Sequence, residues 1–377
     1  MSEYQYYEFQ ALDRPIDNEG MDMLRRVSSR AEISPTSFVN EYNYGDFRGD
    51  ERQFMRRWFD MHLYISNWGN RRLMMRVPKH FVDRSKFDTF IRGCELVEVL
   101  DAGENLIIDF YDPDEEEQYL GMWEEGSGWL SGMMTLRSEF LSGDWRILYL
   151  AWLWAVNLGH IRDEVLEPLS GIGPLTGPLK TFADFFRIDE DIVTAAAESP
   201  SDSDGHATSP ENIETVISRI SDSEKTKLLC RLAEGDPYVS IEVRKLMNEF
   251  SQIGNESTRL RTARELRDRT IEVREERNIA EAKRAEAKRE QHKQEKEKLR
   301  LKRIADVAAM GEAAWNKVDD HMKTKSGRSY DQAAQLLFDL NTIAVENGTT
   351  EHFSRGLKDV RHRYANRPKF LERIERL

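Results

Sequence analysis

The segment that decides how this chain is organised runs from Arg259 to Arg303 and reads RLRTARELRDRTIEVREERNIAEAKRAEAKREQHKQEKEKLRLKR. It contains no Gly, no Pro and no aromatic residue, and it holds 17 Lys/Arg against 10 Asp/Glu, a net charge of +7. The whole chain carries −13, so the remainder carries −20. Such side chains cannot form a hydrophobic core, but they are good helix formers. The segment therefore predicts a long, solvated, basic helix between an acidic N-terminal body and a small C-terminal cap.

One half of a heptad pattern runs along most of this helix. The positions seven residues apart are Leu266, Val273, Ala280, Ala287, Gln294 and Leu301. The complementary positions are Arg, Glu and Lys, so only half of a coiled-coil seam is present. Opposite charges three residues apart, such as Glu281 with Arg284, support a helix that has no partner. The pattern is compatible with a monomeric helix and with a coiled coil, and about forty-five residues of helix would span about 65–70 Å.

Upstream, alternating strand and helix signals predict a small α/β domain over residues 1–112 with about five strands. Glu3–Leu12 and Phe38–Tyr44 read as strands, and Asp17 can cap a short helix between them. Glu51–Trp68 reads as a helix, because its large apolar residues follow one another at intervals of four, three, four and three. These residues are Phe54, Trp58, Met61, Ile65 and Trp68.

The rest of the chain reads as helical, which predicts an α+β fold that is predominantly α. Residues 113–198 form an acidic loop followed by a helical domain, whose helix near Trp145–Val156 is apolar nearly all round. We predict that this helix is either the centre of that domain or a protein interface made by Trp145, Trp152 and Trp154. The further predicted segments are a flexible linker 199–210, a short helical hairpin 211–256, the long charged helix 257–305 and a helical cap 306–377.

Composition limits the cellular setting. The two cysteines, Cys94 and Cys230, lie far apart in apolar contexts, which argues against a disulfide framework and favours a reducing cytoplasm. The N-terminus lacks the basic and apolar regions of a signal peptide, and the most apolar window, Ile147–Leu158, is too short to span a bilayer. We therefore expect a soluble cytoplasmic protein without a membrane partner. The acidic body also argues against nucleic-acid binding by the chain as a whole.

No catalytic motif is evident, so catalytic residues stay unassigned, and we predict no cofactor and no metal. The sequence lacks a GxxxxGK[ST] phosphate loop, a GxGxxG after a strand and a GxSxG elbow. The eight histidines are scattered, and His62 reads as a core or boundary residue. Asp109, Asp112 and Asp114 could bind a hard cation, but the segment lacks the interleaved Gly and Asn of a wrapping loop and reads as solvated.

The basic helix is the one segment with a plausible partner chemistry. Its candidate contact residues are Arg284, Lys288, Arg289, Lys293, Lys296 and Arg300. A basic helix of this kind serves as a solvated spacer, docks on an acidic protein surface such as the chain's own N-terminal body, or binds nucleic acid. The interspersed Glu residues weaken phosphate binding, and no aromatic residue is available to stack on bases.

Two stretches resemble known bacterial sequences. The opening MSEYQYYEFQALDRP, with SFVNEY at Ser37–Tyr42 and NWG at Asn67–Gly69, resembles a family of uncharacterised bacterial proteins over about the first 190 residues. The resemblance implies a bacterial origin and brings no activity with it. The final segment around His362, Pro368 and Phe370 is similar to the tails of bacterial SWIM zinc-finger proteins. Their CxC…CxH ligands are absent here, so no zinc site follows.

Together these features predict a non-enzymatic adaptor or scaffold subunit of a bacterial multiprotein system. Its N-terminal body would bind one partner protein and its cap another, and it could also form homo-oligomers. One alternative is a nucleic-acid-associated protein, in defence or genome maintenance, that uses the basic helix. Another is an enzyme without a readable motif, which would need a polar cleft in the N-terminal domain.

Overall fold

The computed structural model describes residues 4–112, 125–198, 213–252 and 259–377. The chain forms two compact units, one up to Glu276 and one from Arg277 onward. The first contains a seven-stranded antiparallel sheet with helices on both faces, and the second is helical. The predicted α+β, predominantly α class is thus confirmed. Most of the predicted acidic loop at the start of 113–198 and the whole of the predicted linker 199–210 lie outside the described residues.

The sheet has the strand order β2-β3-β1-β4-β5-β7-β6. Its strands are β1 (Gln5–Gln10), β2 (Glu32–Ile33), β3 (Ser37–Tyr42), β4 (Met61–Ser66), β5 (Arg71–Pro78), β6 (Val97–Ala102) and β7 (Asn105–Asp112). The central strand β4 is buried along its whole length, because it pairs with β1 on one side and with β5 on the other. Side chains alternate between the two faces of the sheet, so each face supports its own hydrophobic cluster.

One face is covered by α1 (Asn18–Val27) and α2 (Glu51–Arg57). Asp17 caps α1 as predicted, because its side chain accepts a hydrogen bond from the backbone N–H of Gly20 at 2.7 Å. The opposite face carries the larger cluster, and the next six helices along the chain are among those that contribute to it. They are α3 (Arg84–Ile91), α4 (Trp129–Met133), α5 (Leu136–Leu141), α6 (Arg146–Asn157), α7 (Gly177–Phe185) and α8 (Glu190–Ala197). Since strands and helices share this cluster, the predicted boundary between 1–112 and 113–198 falls inside one core.

The predicted helix Glu51–Trp68 is wrong in its second half. Helix α2 ends at Arg57, and Met61–Ser66 is strand β4. A strand buried on both faces shows no apolar–polar alternation, so its large residues can imitate helical spacing. Asp60 lies between the two elements, and its carboxylate accepts hydrogen bonds from the backbone N–H groups of Leu12 and Asp13.

The first unit continues through α9 (Ile213–Arg219), α10 (Asp222–Ala233), α11 (Val239–Gln252) and the start of α12 (Ala263–Met310). Ser221 and Glu224 form a capping box at α10. Helix α11 begins two residues after Pro237, and Asp236 accepts a hydrogen bond from the N–H of Tyr238 at 2.9 Å in the turn before it. Ala263 and Leu266 of α12 are fully buried in the larger cluster, so this part of the charged helix belongs to the core of the first unit.

The second unit has a separate hydrophobic cluster built from the end of α12 and four shorter helices. These are α13 (Ala313–Lys323), α14 (Gly327–Glu346), α15 (Thr350–Arg363) and α16 (Pro368–Arg373). The residues predicted as a cap are helical, and the helices bury their apolar residues in this cluster, where Leu337 and Val360 are fully buried. Helix α14 ends at Glu346, and Gly348 takes a positive φ of 70° just after it, a conformation that favours glycine.

Gly356 in the middle of α15 makes room for the indole of Trp315. A Cβ atom at Gly356 would lie 2.6 Å from Cη2 and 2.7 Å from Cζ2 of that ring. We expect Gly356→Ala to destabilise the second unit by about 1–3 kcal/mol, although Ala is the better helix former. The measurement is hydrogen exchange of the α14 and α15 amides. Gly327→Ala in α14 is the control, because a Cβ there meets nothing within 4 Å; equal effects of both changes would contradict the packing explanation.

Candidate interaction surfaces

A buried polar cluster lies on the sheet face under α2. Arg72 donates to both carboxylate oxygens of Asp109, at 2.8 and 2.6 Å, and also to Glu51. His62 is fully buried beside them, with Nδ1 3.0 Å from the carbonyl oxygen of Glu8 and Nε2 3.9 Å from the nearer Glu51 oxygen. Burial, with a smaller contribution from the Arg72 charge, lowers the pKa of His62 to about 3, so the ring is neutral. Burial likewise raises the pKa of Glu51, and the Arg72 charge partly opposes this.

This cluster contains side chains that are common in active sites, but a substrate could not reach them. His62 and Asp109 are covered, and the ring of His62 is stacked on Phe9 with centroids 3.9 Å apart. The pairing of Asp109 with Arg72 occupies the carboxylate that the sequence offered as a cation ligand, while Asp112 ends β7 and Asp114 lies outside the described residues. No group of three or more His, Cys, Asp or Glu side chains suited to a metal ion occurs among the described residues. The contacts of the cluster hold α2 to the sheet.

The three predicted interface tryptophans are all buried. Trp145, Trp152 and Trp154 belong to the larger cluster of the first unit. Trp145 is stacked on Phe140 with centroids 5.7 Å apart, and Trp154 packs against Phe186 at 4.9 Å. Of the two alternatives that the sequence left open for this apolar helix, the structure favours the centre of the domain. These three residues therefore form no surface that a partner could reach on the folded chain.

The start of the basic segment is docked on acidic groups of its own unit. Arg261 donates from Nε and a terminal nitrogen to Glu167 at 3.0 and 2.9 Å, and Arg269 donates to both oxygens of Glu198 at 2.7 Å. Two further arginines repeat the pattern: Arg267 pairs with Asp163, and Arg274 pairs with Asp189 and Asp191. The predicted docking on the chain's own acidic body thus holds for this part of the segment. Leu266 and Val273 of the heptad pattern are buried in the same unit.

The helix is exposed to solvent from Arg274, the last of the docked arginines, to Arg303. This range includes all six predicted contact residues. At 100° per residue, four of the six fall within about a 60° sector of the helix surface. These four, Arg289, Lys293, Lys296 and Arg300, are called the basic stripe below. Arg284 and Lys288 lie more than about 90° away from its centre, so the structure brings together four of the predicted residues and separates the other two.

Sequence reasoning missed a groove on the second unit. Its volume is about 290 Å³, and α12, α13, α14 and α15 form its walls. Half-buried Trp315, Leu340 and Ile343 supply apolar surface, and Glu312, His352 and other polar residues stand at the rim. The signal in the sequence was Trp315, the only Trp after residue 154. The groove suits an apolar side chain of a partner protein.

Comparisons with known proteins give no information on function, so we infer the function from these surfaces. No protein-family model matches the chain, and it matches neither a curated protein nor a solved structure. The resemblance of the opening residues to a bacterial family therefore stays a prediction. Among the described residues, none of the helices is both long enough and apolar enough to cross a membrane.

Proposed function

We propose that this protein is a non-enzymatic adaptor or scaffold subunit that binds partner proteins in the cytoplasm. The observation that carries the proposal is the exposed stretch of α12, which lies along the chain between the residues of two separate hydrophobic clusters. The thirty consecutive exposed residues of this stretch contribute nothing to a hydrophobic core. Core packing therefore does not explain why the chain contains this stretch of helix. A helix that is polar all round and supported by its own charge pairs is typical of a connection between domains.

The groove beside Trp315 supports the proposal, because it offers a partner an apolar contact on the second unit. Buried aromatic side chains at the centre of an apolar patch are the usual anchors of protein interfaces. Both cysteines are free thiols, which supports the cytoplasmic part of the proposal.

The test is capture of partners by the tagged full-length chain from a lysate of its native cells, with and without nuclease. We expect a stoichiometric protein partner that survives nuclease and is lost when Ala308, an exposed residue of the groove, is replaced by Arg. Ala305→Arg is the matched control, because Ala305 is exposed on the same helix and does not line the groove. Both variants should keep the far-UV circular dichroism of the parent.

Three results would overturn the groove as a partner site: no stoichiometric partner, a partner released by nuclease, or equal loss with both variants. The last of these would mean that added positive charge, and not occupation of the groove, weakens the complex.

A further inference from the structure

We propose that the basic stripe binds the phosphate backbone of double-stranded DNA. The proposal goes beyond the adaptor function and does not depend on it. The four side chains are spaced four, three and four residues apart, and they extend over about 17 Å of helix. Each is exposed, and each ends in a cation that can neutralise one phosphate.

The stripe is free of acidic residues although the helix is not. Toward the N-terminus the same sector continues through Ala282 and Asn278, which are small and uncharged. The nearest carboxylates on one side, those of Glu286, Glu290 and Glu297, lie about 50–90° around the helix from the stripe centre. Glu290 pairs with Lys293 at 4.0 Å and Glu297 with Arg300 at 3.5 Å. These exposed pairs contribute little free energy, so a phosphate can replace them.

The end of the stripe is held in place by the second unit. Arg303, the next residue in the same spacing, donates from Nε and a terminal nitrogen to the two carboxylate oxygens of Asp339, at 2.6 and 3.0 Å. Asp339 is buried on α14, so this contact anchors α12 next to the stripe. The residues from Arg277 to the C-terminus carry 23 Lys/Arg against 16 Asp/Glu. This net charge of +7 attracts a polyanion to the unit that carries the stripe.

The choice of duplex DNA among polyanions rests on shape. Single-strand binding needs aromatic side chains for base stacking, and the segment Arg259–Arg303 contains no Phe, Tyr or Trp. An α-helix is about 10–12 Å across with its side chains, and the major groove of B-DNA is about 12 Å wide. The major groove of duplex RNA is too narrow to admit side chains. Between Arg274 and Arg303, whose side chains pair with carboxylates, the residues are exposed on all sides of the helix and present a rod that the DNA groove can accept.

The experiment measures binding of the full-length chain to a mixed-sequence 30-base-pair DNA duplex by fluorescence anisotropy between about 30 and 200 mM salt. We expect affinity that falls steeply with salt. Each phosphate contact contributes about 0.9 to the slope of log K against log salt, so replacing the whole stripe with Gln should reduce the slope by about 3–4. The variant is Arg289→Gln, Lys293→Gln, Lys296→Gln and Arg300→Gln.

The matched control removes four charges from the other side of the same helix, where Gln291 and Glu295 interrupt the cationic row. It consists of Arg284→Gln, Lys288→Gln, Lys298→Gln and Lys302→Gln. We expect it to reduce the slope by less than half as much as the stripe variant, while both keep the parent's helix content. Equal reductions would overturn the stripe as the site, since net charge alone would then explain binding.

Further binding measurements distinguish duplex DNA from the other ligands that a basic helix could bind. A duplex RNA of the same sequence and the single DNA strand should both bind more weakly than duplex DNA. Tighter binding of either one, or of poly-glutamate as a stand-in for an acidic protein surface, would overturn the proposal. So would the absence of DNA binding at the lowest salt concentration.

Discussion

Replacing Asp60 with Ala is expected to lower the free energy of unfolding of the first unit by about 3–5 kcal/mol, because it leaves the buried guanidinium of Arg76 without its counter-charge. Asp60 is fully buried between α2 and β4. One carboxylate oxygen accepts from Nε and a terminal nitrogen of Arg76 at 3.1 and 2.7 Å and lies 3.7 Å from Arg137. The other accepts from the backbone N–H groups of Leu12 and Asp13 at 2.6 and 2.9 Å. Urea unfolding followed by Trp fluorescence measures the change, since seven of the eight Trp residues lie before Arg277.

The stability that Asp60 contributes to the first unit depends on pH, because its carboxylate can be protonated. Burial by itself would raise the pKa of Asp60, but the charges of Arg137 and Arg76 and the two backbone donors hold it below its usual value. The stabilisation is therefore present at pH values above about 3.9, the unfolded pKa, and is lost as the pH falls through the folded pKa. Asp60→Ala should accordingly reduce the acid sensitivity of unfolding. Asp101→Asn, which removes an exposed pair with Lys79, is the control and should leave the urea midpoint unchanged.

Arg261→Ala is expected to cost a similar amount, about 3–5 kcal/mol, by leaving Glu167 buried without a cation. The Glu167 side chain is fully covered, and its carboxylate accepts hydrogen bonds from the Arg261 guanidinium, the Arg261 backbone N–H and the Tyr149 hydroxyl. Arg261 also donates to the carbonyl oxygens of Ala195 and Ala196 at 2.7 and 3.1 Å, which ties the chain before α12 to the end of α8. Removing this side chain should therefore also release the first turns of α12.

Two measurements check this second prediction. Urea unfolding gives the free energy, and hydrogen exchange of residues 263–276 reports release of the docked turns. Arg264→Ala is the matched control, because Arg264 lies three residues further on, is mostly exposed and pairs with Asp268 only at 3.9 Å. A loss below about 1 kcal/mol for Arg261→Ala would show that Glu167 does not depend on this cation.

Arg261 and Arg289 differ in how much of their surroundings could be predicted from the sequence. Both residues lie in a run that reads uniformly as solvated and charged. The partner of Arg261 is Glu167, 94 positions earlier, and nothing in the local pattern indicates that pairing. Arg289 has only helical neighbours, so its position on one face follows from residue spacing alone. The stripe could have been found from the sequence, whereas the docked arginines could not.

The prediction for strand β4 was wrong and that for helix α6 was right, and both outcomes follow from apolar residues on every side of the element. Met61–Ser66 is buried on both faces, so the alternation that identifies a half-exposed strand is missing and a helical spacing appears in its place. Helix α6 is also apolar nearly all round, but it is long enough to be recognised as a covered helix. What the sequence left open was which surface covers it. The structure shows that α6 is covered by the sheet and by α3, α7 and α8. Helix α3 precedes α6 in the sequence, and α7 and α8 follow it.

The sequence by itself determined the separation of charge, the long helix and the helical character of the cap. These follow from local propensity, charge spacing and amphipathic periodicity, which act over a few residues. Only the tertiary structure decided where the first unit ends, which arginines are engaged and that three tryptophans are buried. Each of these depends on contacts between residues far apart along the chain, whose pairing free energy arises only when folding removes both partners from water.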